Sequence, residues 1–372
     1  MSIKYLYLDD EIEELTRHIP ELLSSEDDEL EIDLKLPKSF GEEIQRLRSS
    51  EYDGLILDLR LDVKSEAEYR AFTLAQELRT RATEGTLTDI PIVVCSTDAK
   101  LKKSYNKDGT GHDLFDSKYL KEEDLVDNSE VVAKELVAFA KGYKHIAEIK
   151  AKMGGRGPQL KQMFQLSAEE LKPLDVRLTE HFGEVTGRLP VHEYARFILR
   201  EMIWTSGPLI DRKVLAARLG LKDDSPGFNE LIETKFNQLK YKGPFHEGWD
   251  RWWWHLVDQW WRKTCKSNLA FLDAQERASQ LTSATNINGL NAAEPLDREY
   301  ATKFWTICAL YQLPLDPIDA IRAETKNEPL PWQDNLSMSI KAALDVESKA
   351  NNLFPHQLEK ERVNELKTTG GE

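Results

Sequence analysis

The chain has 372 residues, of which 40% are hydrophobic and 31% charged, and its formal net charge is −15 at pH 7. No stretch approaches the roughly 20 consecutive apolar residues that a membrane-spanning helix needs, and the first residues lack the pattern of a signal peptide. We therefore expect a cytoplasmic protein. Three cysteines stand far apart in apolar sequence, which predicts buried thiols and neither a disulfide framework nor a cysteine metal site: Cys95, Cys265 and Cys308.

The charge is unevenly distributed along the chain. Residues 1–150 contain 34 acidic and 21 basic side chains, a net charge of −13, and the remainder carries −2. Because an acidic surface repels phosphate backbones, nucleic acid is disfavoured as a partner of the first half.

The first 145 residues alternate short apolar runs with longer amphipathic stretches. This rhythm predicts an α/β fold, a doubly wound five-stranded parallel sheet covered by helices on both faces. The predicted strands are Ile3–Leu8, Leu30–Leu36, Gly54–Leu59, Ile92–Ser96 and Asp113–Asp116. The predicted helices are Glu11–Leu23, Phe40–Arg48, Glu66–Thr83 and Asn128–Lys150. Before the fifth strand, Ser104–Gly111 is rich in turn residues and predicts a short or partly unwound helix.

The helical pattern breaks at Met153–Pro158, where three glycines and a proline occur. We predict an α/β domain over residues 1–150, a linker with connecting helices over 151–190, and a mainly α-helical, Trp-rich domain over 191–372. Helical spacing in this last part is clearest at Val191–Met202 and at Trp253–Thr264.

Three carboxylates follow predicted strands directly. Asp9 and Asp10 end the first strand and Asp58 ends the third. The carboxyl ends of central strands in a doubly wound sheet open into one crevice, so the three should converge. Such a cluster needs a hard cation, and Mg²⁺ is the natural occupant. Ser96, which ends the fourth strand, and Lys118, just after the fifth, could then bind the oxygens of a phosphoryl group carried by Asp58.

These residues, in the segments Tyr5–Glu11, Leu55–Leu59, Pro91–Thr97 and Phe115–Lys118, resemble the receiver domain of two-component response regulators over about 40% of the chain. The resemblance implies that Asp58 is the phosphoacceptor and that Asp9 and Asp10 bind Mg²⁺ with it. It further implies a metal-binding backbone carbonyl at Arg60, a switch hydroxyl at Ser96, a switch aromatic at Phe115 and a phosphate-binding lysine at Lys118. The expected donor is a histidine kinase or a phosphotransfer protein.

The chain departs from the family pattern in two places. The family usually has a proline shortly after the phosphoacceptor, where this chain has Leu61–Val63, and a proline after the lysine, where this chain has Tyr119.

Two features of the second half allow different interpretations. Gly207–Gly220 followed by Phe228–Leu239 resembles a helix-turn-helix, although two helices around a glycine turn are common in α-proteins. The densest aromatic cluster lies at Trp249–Trp261. Helical spacing favours core, but Trp252, Trp253 and Trp254 are consecutive and cannot share one helix face. At least one of them should therefore meet another element, a partner or solvent, and one interpretation is an interaction surface that includes Trp249, Trp252 and Trp254.

We expect a phosphorylation-responsive regulator whose helical output domain acts through protein contacts, with no enzymatic activity beyond that of the receiver itself. One alternative is a response-regulator transcription factor that uses the helix-turn-helix-like region. Another is a degenerate receiver fused to an enzymatic stress or defence effector.

Overall fold

The computed structural model describes residues 2–49, 52–64, 67–97, 111–153, 160–185, 189–345, 348 and 351–369. The chain forms two compact units. The first comprises Met1–Leu166, Glu180–Arg200 and Lys242–Trp249, and the second comprises Ser167–Thr179, Glu201–Tyr241 and Asp250–Glu372. Within the described residues, no helix combines the length and apolar character needed to cross a membrane.

The first unit contains a five-stranded parallel sheet with the strand order β2-β1-β3-β4-β5. Its strands are β1 (Ile3–Leu8), β2 (Leu30–Lys35), β3 (Gly54–Asp58), β4 (Ile92–Ser96) and β5 (Ser117–Leu120). Its helices to residue 152 are α1 (Glu14–Glu26), α2 (Phe40–Ser49), α3 (Ala71–Thr83) and α4 (Ser129–Lys152). This is the flavodoxin-like order of a doubly wound sheet, which confirms the predicted fold class.

The period-2 alternation of β1 explains how both faces of the sheet are covered. Leu6 and Leu8 pack in the core shared with α2 and α3. Tyr5 points to the other face, where its hydroxyl donates to the Leu136 carbonyl oxygen of α4 at 2.7 Å. Both sets of side chains are buried, so the central strands read as almost continuous apolar runs.

The fifth strand begins at Ser117, four residues later than predicted. Asp113 and Leu114 lie in a 3₁₀ turn, and the Asp116 N–H donates to the Ile92 carbonyl oxygen at the amino end of β4. β5 is an edge strand, so fewer of its side chains are buried and its apolar signal is weak. The expected short helix at 104–111 falls almost entirely outside the described residues.

The first unit extends well beyond residue 150. Two further helices belong to it, α5 (Leu160–Phe164) and α8 (Val191–Ile198), and α7 (Val176–Val185) leads towards α8. The segment 242–249 packs on α4, where Trp249 meets Phe139 at a ring-centroid distance of 5.3 Å. The predicted linker and the predicted start of the output domain therefore do not coincide with the limits of the compact units. Residues 154–158 of the predicted glycine break lie outside the described part of the chain.

The second unit is mainly helical with short two-stranded ladders. Its helices are α6 (Ala168–Leu171), α9 (Arg212–Leu219), α10 (Phe228–Leu231), α11 (Trp254–Cys265), α12 (Ala274–Thr285), α13 (Ile340–Leu344) and α14 (Lys360–Thr369). Its strands are β6 (Leu209–Ile210), β7 (Trp252–Trp253), β8 (Thr306–Ile307), β9 (Pro314–Leu315), β10 (Ile321–Arg322) and β11 (Ser337–Met338). The ladders β6-β7, β8-β9 and β10-β11 are antiparallel.

The tryptophan cluster is divided between different elements. Trp252 and Trp253 form the short strand β7, and only Trp254 begins the helix. This change of backbone period removes the conflict between the three neighbouring indoles, because a strand points successive side chains to opposite sides. Trp252 is only 1% exposed, so its expected place on an interaction surface is wrong.

Trp254 packs on a buried arginine. The Arg218 guanidinium lies 4.7 Å from the Trp254 ring centroid and 4.9 Å from that of Trp305, and it pairs with Asp334. The helix-turn-helix-like region places Arg218 inside the unit, since residues 214–219 of α9 are all buried. This basic side chain is therefore unavailable to a phosphate backbone.

Candidate functional site

The three predicted carboxylates meet at the carboxyl edge of the sheet. Asp9 and Asp10 follow β1 and Asp58 ends β3, and each is at most 3% exposed. One carboxylate oxygen from each residue lies within 4.8 Å of the other two. This convergence was predicted because parallel central strands deliver their last residues to the same crevice.

Backbone N–H groups hold each of these carboxylates in place, that of Asp58 through the Arg60 N–H. Asp10 Oδ2 accepts hydrogen bonds from the N–H groups of Val63 (2.7 Å) and Lys64 (2.8 Å). Asp9 Oδ1 accepts from the Glu11 N–H at 3.0 Å. A proline at position 63 would have no N–H to donate, so the absence of proline from Leu61–Val63 suits this anchoring.

The lysine of the crevice is Lys121, which directly follows β5. Its Nζ lies 2.7 Å from Asp58 Oδ1 and 2.7 Å from Asp9 Oδ2. The backbone N–H of Lys121 also donates to the Ser96 carbonyl oxygen at 3.1 Å. Burial opposes the positive charge of Lys121, but the neighbouring Cys95, Asp58 and Asp9 outweigh it and raise the lysine pKa.

The prediction that Lys118 is the phosphate-binding lysine is wrong, because β5 begins at Ser117 and not at Asp113. Lys118 lies inside β5, paired with Val94, and its side chain is exposed. The signal that was missed is the apolar pair Tyr119 and Leu120 just before Lys121. It repeats a pattern seen at β1, where the apolar Leu8 is followed directly by the charged Asp9.

Phe115 lies at the opposite end of β4 from Ser96. Phe115 directly precedes Asp116, whose N–H donates to the Ile92 carbonyl oxygen. Ile92 stands four residues before Ser96, which corresponds to about 13 Å along a strand. Its ring packs against Phe72 of α3 at a centroid distance of 5.3 Å and is part of the core. The structure therefore does not bring Phe115 to the crevice beside Ser96.

Ser96 and Arg60 do border the crevice. Ser96 is fully buried at the end of β4, and its Oγ has no hydrogen-bond partner among the described residues. The Arg60 N–H donates to Asp58 Oδ2 at 2.8 Å, and the Arg60 guanidinium pairs with Asp62 at 2.7 Å. The metal-binding carbonyl predicted for Arg60 stays a prediction.

The balance of charge fits a divalent cation. Three carboxylates face one ammonium, so the crevice carries an excess of two negative charges when all are ionised. Burial is the largest influence on Asp58 and raises its pKa, with Asp9 acting in the same direction and Lys121 against it. Asp10 Oδ1 is buried and has no hydrogen-bond partner in the described chain. Oxygen donors, excess negative charge and an unpaired carboxylate oxygen together suit Mg²⁺.

No model of a known protein family matches the chain, and no curated protein matches it. Solved structures are similar to its amino-terminal part. NtrX from Brucella abortus is 16% identical over 44% of this chain and 32% of that one, with a TM-score of 0.32. The chain thus spans about a third of the length of that protein. The receiver domain of the same NtrX is 16% identical over 36% of this chain and 97% of that domain, with a TM-score of 0.28. A putative response regulator from Chloroflexus aurantiacus is 18% identical over 36% of this chain and 98% of that one, with a TM-score of 0.27.

Proposed function

We propose that the first unit accepts a phosphoryl group on Asp58 in a Mg²⁺-dependent reaction, and that the protein is a response-regulator-like signalling protein. The observation that carries this proposal is the buried contact of Lys121 with Asp58 and Asp9 beside the unpaired oxygens of Asp10 and Ser96. A purely structural ion pair would not need two orphan polar atoms, because buried polar groups are normally hydrogen-bonded.

The residues have distinct parts in the transfer. An oxygen of Asp58 attacks phosphorus, and a P–O bond forms while the bond from phosphorus to the donor breaks and the donor leaves with the electron pair. Lys121 and the Ser96 hydroxyl bind oxygens of the incoming phosphoryl group. The Arg60 N–H keeps the Asp58 carboxylate oriented. When bound through Asp9, Asp10 and Asp58, Mg²⁺ supplies positive charge to the phosphoryl oxygens.

The donor class follows from the chemistry of the acceptor. A carboxylate accepts a phosphoryl group readily only from a high-energy donor, and the resemblance to receivers points to a phosphohistidine on a histidine kinase or a phosphotransfer protein. In that case the P–N bond breaks and the imidazole departs.

Acetyl phosphate with Mg²⁺ tests the proposal directly. Intact-mass measurement should show one added phosphoryl group on the wild-type chain and none on Asp58→Asn. Asp62→Asn is the matched control, because Asp62 is close in sequence but pairs with Arg60 and Arg70 outside the carboxylate cluster. Equal labelling of Asp58→Asn would overturn the assignment. Mg²⁺ binding without labelling would favour a degenerate receiver.

We infer that the second unit acts through protein contacts. Its surface includes large apolar side chains that are mostly exposed, with Tyr300 at 87%, Ile318 at 73% and Leu358 at 81%. The three segments of the second unit together carry a net charge of −5, and residues 214–219 of α9 are buried. The phosphorylated full-length chain should therefore not shift duplex DNA in a gel at low salt. A shift that weakens steeply with salt would support a transcription factor instead.

A further inference from the structure

The second unit contains a cavity of about 600 Å³ that the phosphoacceptor function does not use. Three segments of the chain line it, at 201–214, 306–312 and 325–337. Hydrogen bonds tie these segments together: the Asp334 N–H donates to the Ser206 carbonyl oxygen and the Ala309 N–H to that of Ser337, both at 2.8 Å. The size lies within the range of small-molecule sites, and the walls are held in place without a ligand.

The charged side chains of this cavity are all acidic. Glu201, Asp211, Glu328 and Asp334 line it, and no lysine, arginine or histidine is among its described lining residues. Asp334 pairs with Arg218 and Glu328 with Arg322. Glu201 and Asp211 form no direct ion pair with any described residue, although the charge of Asp211 acts through space on the buried Arg218 and Arg251 and opposes the lowering of their pKa by burial.

Each of these two carboxylates is oriented by a neutral donor. The Gln333 Nε2 donates to Glu201 Oε2 at 2.8 Å and to the Glu201 carbonyl oxygen at 3.2 Å. The Val214 N–H donates to Asp211 Oδ1 at 2.8 Å. In the described chain the second oxygen of each carboxylate, Oε1 of Glu201 and Oδ2 of Asp211, accepts no hydrogen bond. The donors are neutral, so they orient the two carboxylates without forming an ion pair with them.

The shape of the site distinguishes an organic cation from a metal ion. Within the described residues, no three acidic side chains of this cavity come together at metal-ligand spacing, in contrast to Asp9, Asp10 and Asp58. The cavity is also far larger than an ion. Trp204 lines it and is 40% exposed, and the face of an indole attracts organic cations.

We propose that this cavity binds a small organic cation, an alkylammonium or guanidinium compound. The cationic group pairs with Glu201 and Asp211 and lies against the indole of Trp204. Phosphorylation at Asp58 is not needed for this binding, so the proposal does not depend on the proposed function.

Isothermal titration of the full-length protein with agmatine, which carries both cationic groups, tests the proposal at physiological ionic strength. We expect saturable binding with one molecule per chain, and no binding of N-butylurea, an uncharged analogue of the guanidinium end. Glu201→Gln should weaken the binding of agmatine at least about tenfold, because a charge-assisted contact is lost. The glutamine carbonyl can still accept from Gln333, so the variant should keep its fold, which circular dichroism checks.

Glu233→Gln is the matched control, because Glu233 is an exposed acid of the same unit that does not line the cavity. It should bind agmatine like the wild type, as should Asp58→Asn. Trp204→Ala should weaken binding more than Trp204→Phe, which keeps an aromatic face. Absence of saturable binding, unchanged affinity in Glu201→Gln, or equal weakening in Glu233→Gln would overturn the proposal, the last by showing diffuse attraction to an acidic protein.

Discussion

The ammonium group of Lys121 lies 2.7 Å from the carboxylate of Asp58, and both side chains are buried. The lysine and the aspartate come from the ends of β5 and β3, which are not neighbours in the sheet. The pair therefore spans the strand β4 that carries Ser96. Substituting Lys121 and Lys118 one at a time therefore tests which of the two lysines acts in phosphoryl transfer.

Lys121→Ala should slow labelling by acetyl phosphate by about 100-fold, because one positive group that stabilises the transferring phosphoryl is lost. Lys118→Ala should leave the rate close to that of the wild type, since this side chain is exposed within β5. The measurement is the initial rate of phosphoryl incorporation at saturating Mg²⁺. The reverse order of effects would return the phosphate-binding function to Lys118.

Mg²⁺ affinity should depend on the carboxylates and not on the lysine. Asp10→Asn should lower the affinity for Mg²⁺ by at least about tenfold, because the substitution removes the negative charge of the carboxylate whose Oδ1 is unpaired in the described chain. Lys121→Ala should preserve or increase it, since a competing positive charge leaves the crevice. Titration calorimetry with Mg²⁺ measures both. A large loss of affinity in Lys121→Ala with none in Asp10→Asn would contradict the proposed coordination.

Asp58→Asn should be more stable than the wild type at pH 7 by about 1 to 2 kcal/mol. Burial raises the pKa of Asp58 above its ordinary value of 3.8, so the folded state holds this proton more tightly than the unfolded state. The wild type therefore loses stability as pH rises from about 3.8 through the raised pKa. The advantage of Asp58→Asn should shrink as pH falls through the same window.

Urea denaturation at several pH values measures this difference. Asp127→Asn, at an exposed position of the first unit, should change stability by no more than about 0.5 kcal/mol at any of them. A variant Asp58→Asn that is less stable at pH 7 would show that the Lys121 contact outweighs the burial of the charge.

A second buried ionic network should matter for stability alone. Arg79 of α3 contacts Asp116 (2.8 Å) and Asp89 (2.9 Å), and Asp89 in turn accepts from His192 of α8, whose Nδ1 lies 2.7 Å away. Burial opposes the charge of Asp89, but the hydrogen bond from His192 and the charge of Arg79 lower its pKa. Arg79→Met should destabilise the protein by about 3 to 5 kcal/mol, because two buried carboxylates lose their cation.

Arg81→Met is the control for this network, since Arg81 is on the same helix but forms only a partly exposed pair with Glu77. Its effect on the free energy of unfolding should stay below about 1 kcal/mol. Chemical denaturation distinguishes the two variants. Similar small effects in both would mean that the buried network contributes little to stability.

The sequence alone was sufficient to predict the doubly wound sheet and the meeting of Asp9, Asp10 and Asp58. Strands buried on both faces are apolar along most of their length, so Asp9 after β1 and Asp58 at the end of β3 mark the edge of the sheet. The same reasoning located Ser96 at the end of β4.

Only the tertiary structure identified Lys121, because β5 is an edge strand whose short, mixed sequence does not mark its own limits. It also separated Trp252 and Trp253 from the helix that begins at Trp254, and assigned α8 to the first unit. These outcomes depend on contacts between residues far apart in the chain. Local periodicity reports which face of an element is apolar, but it does not report which distant surface covers that face.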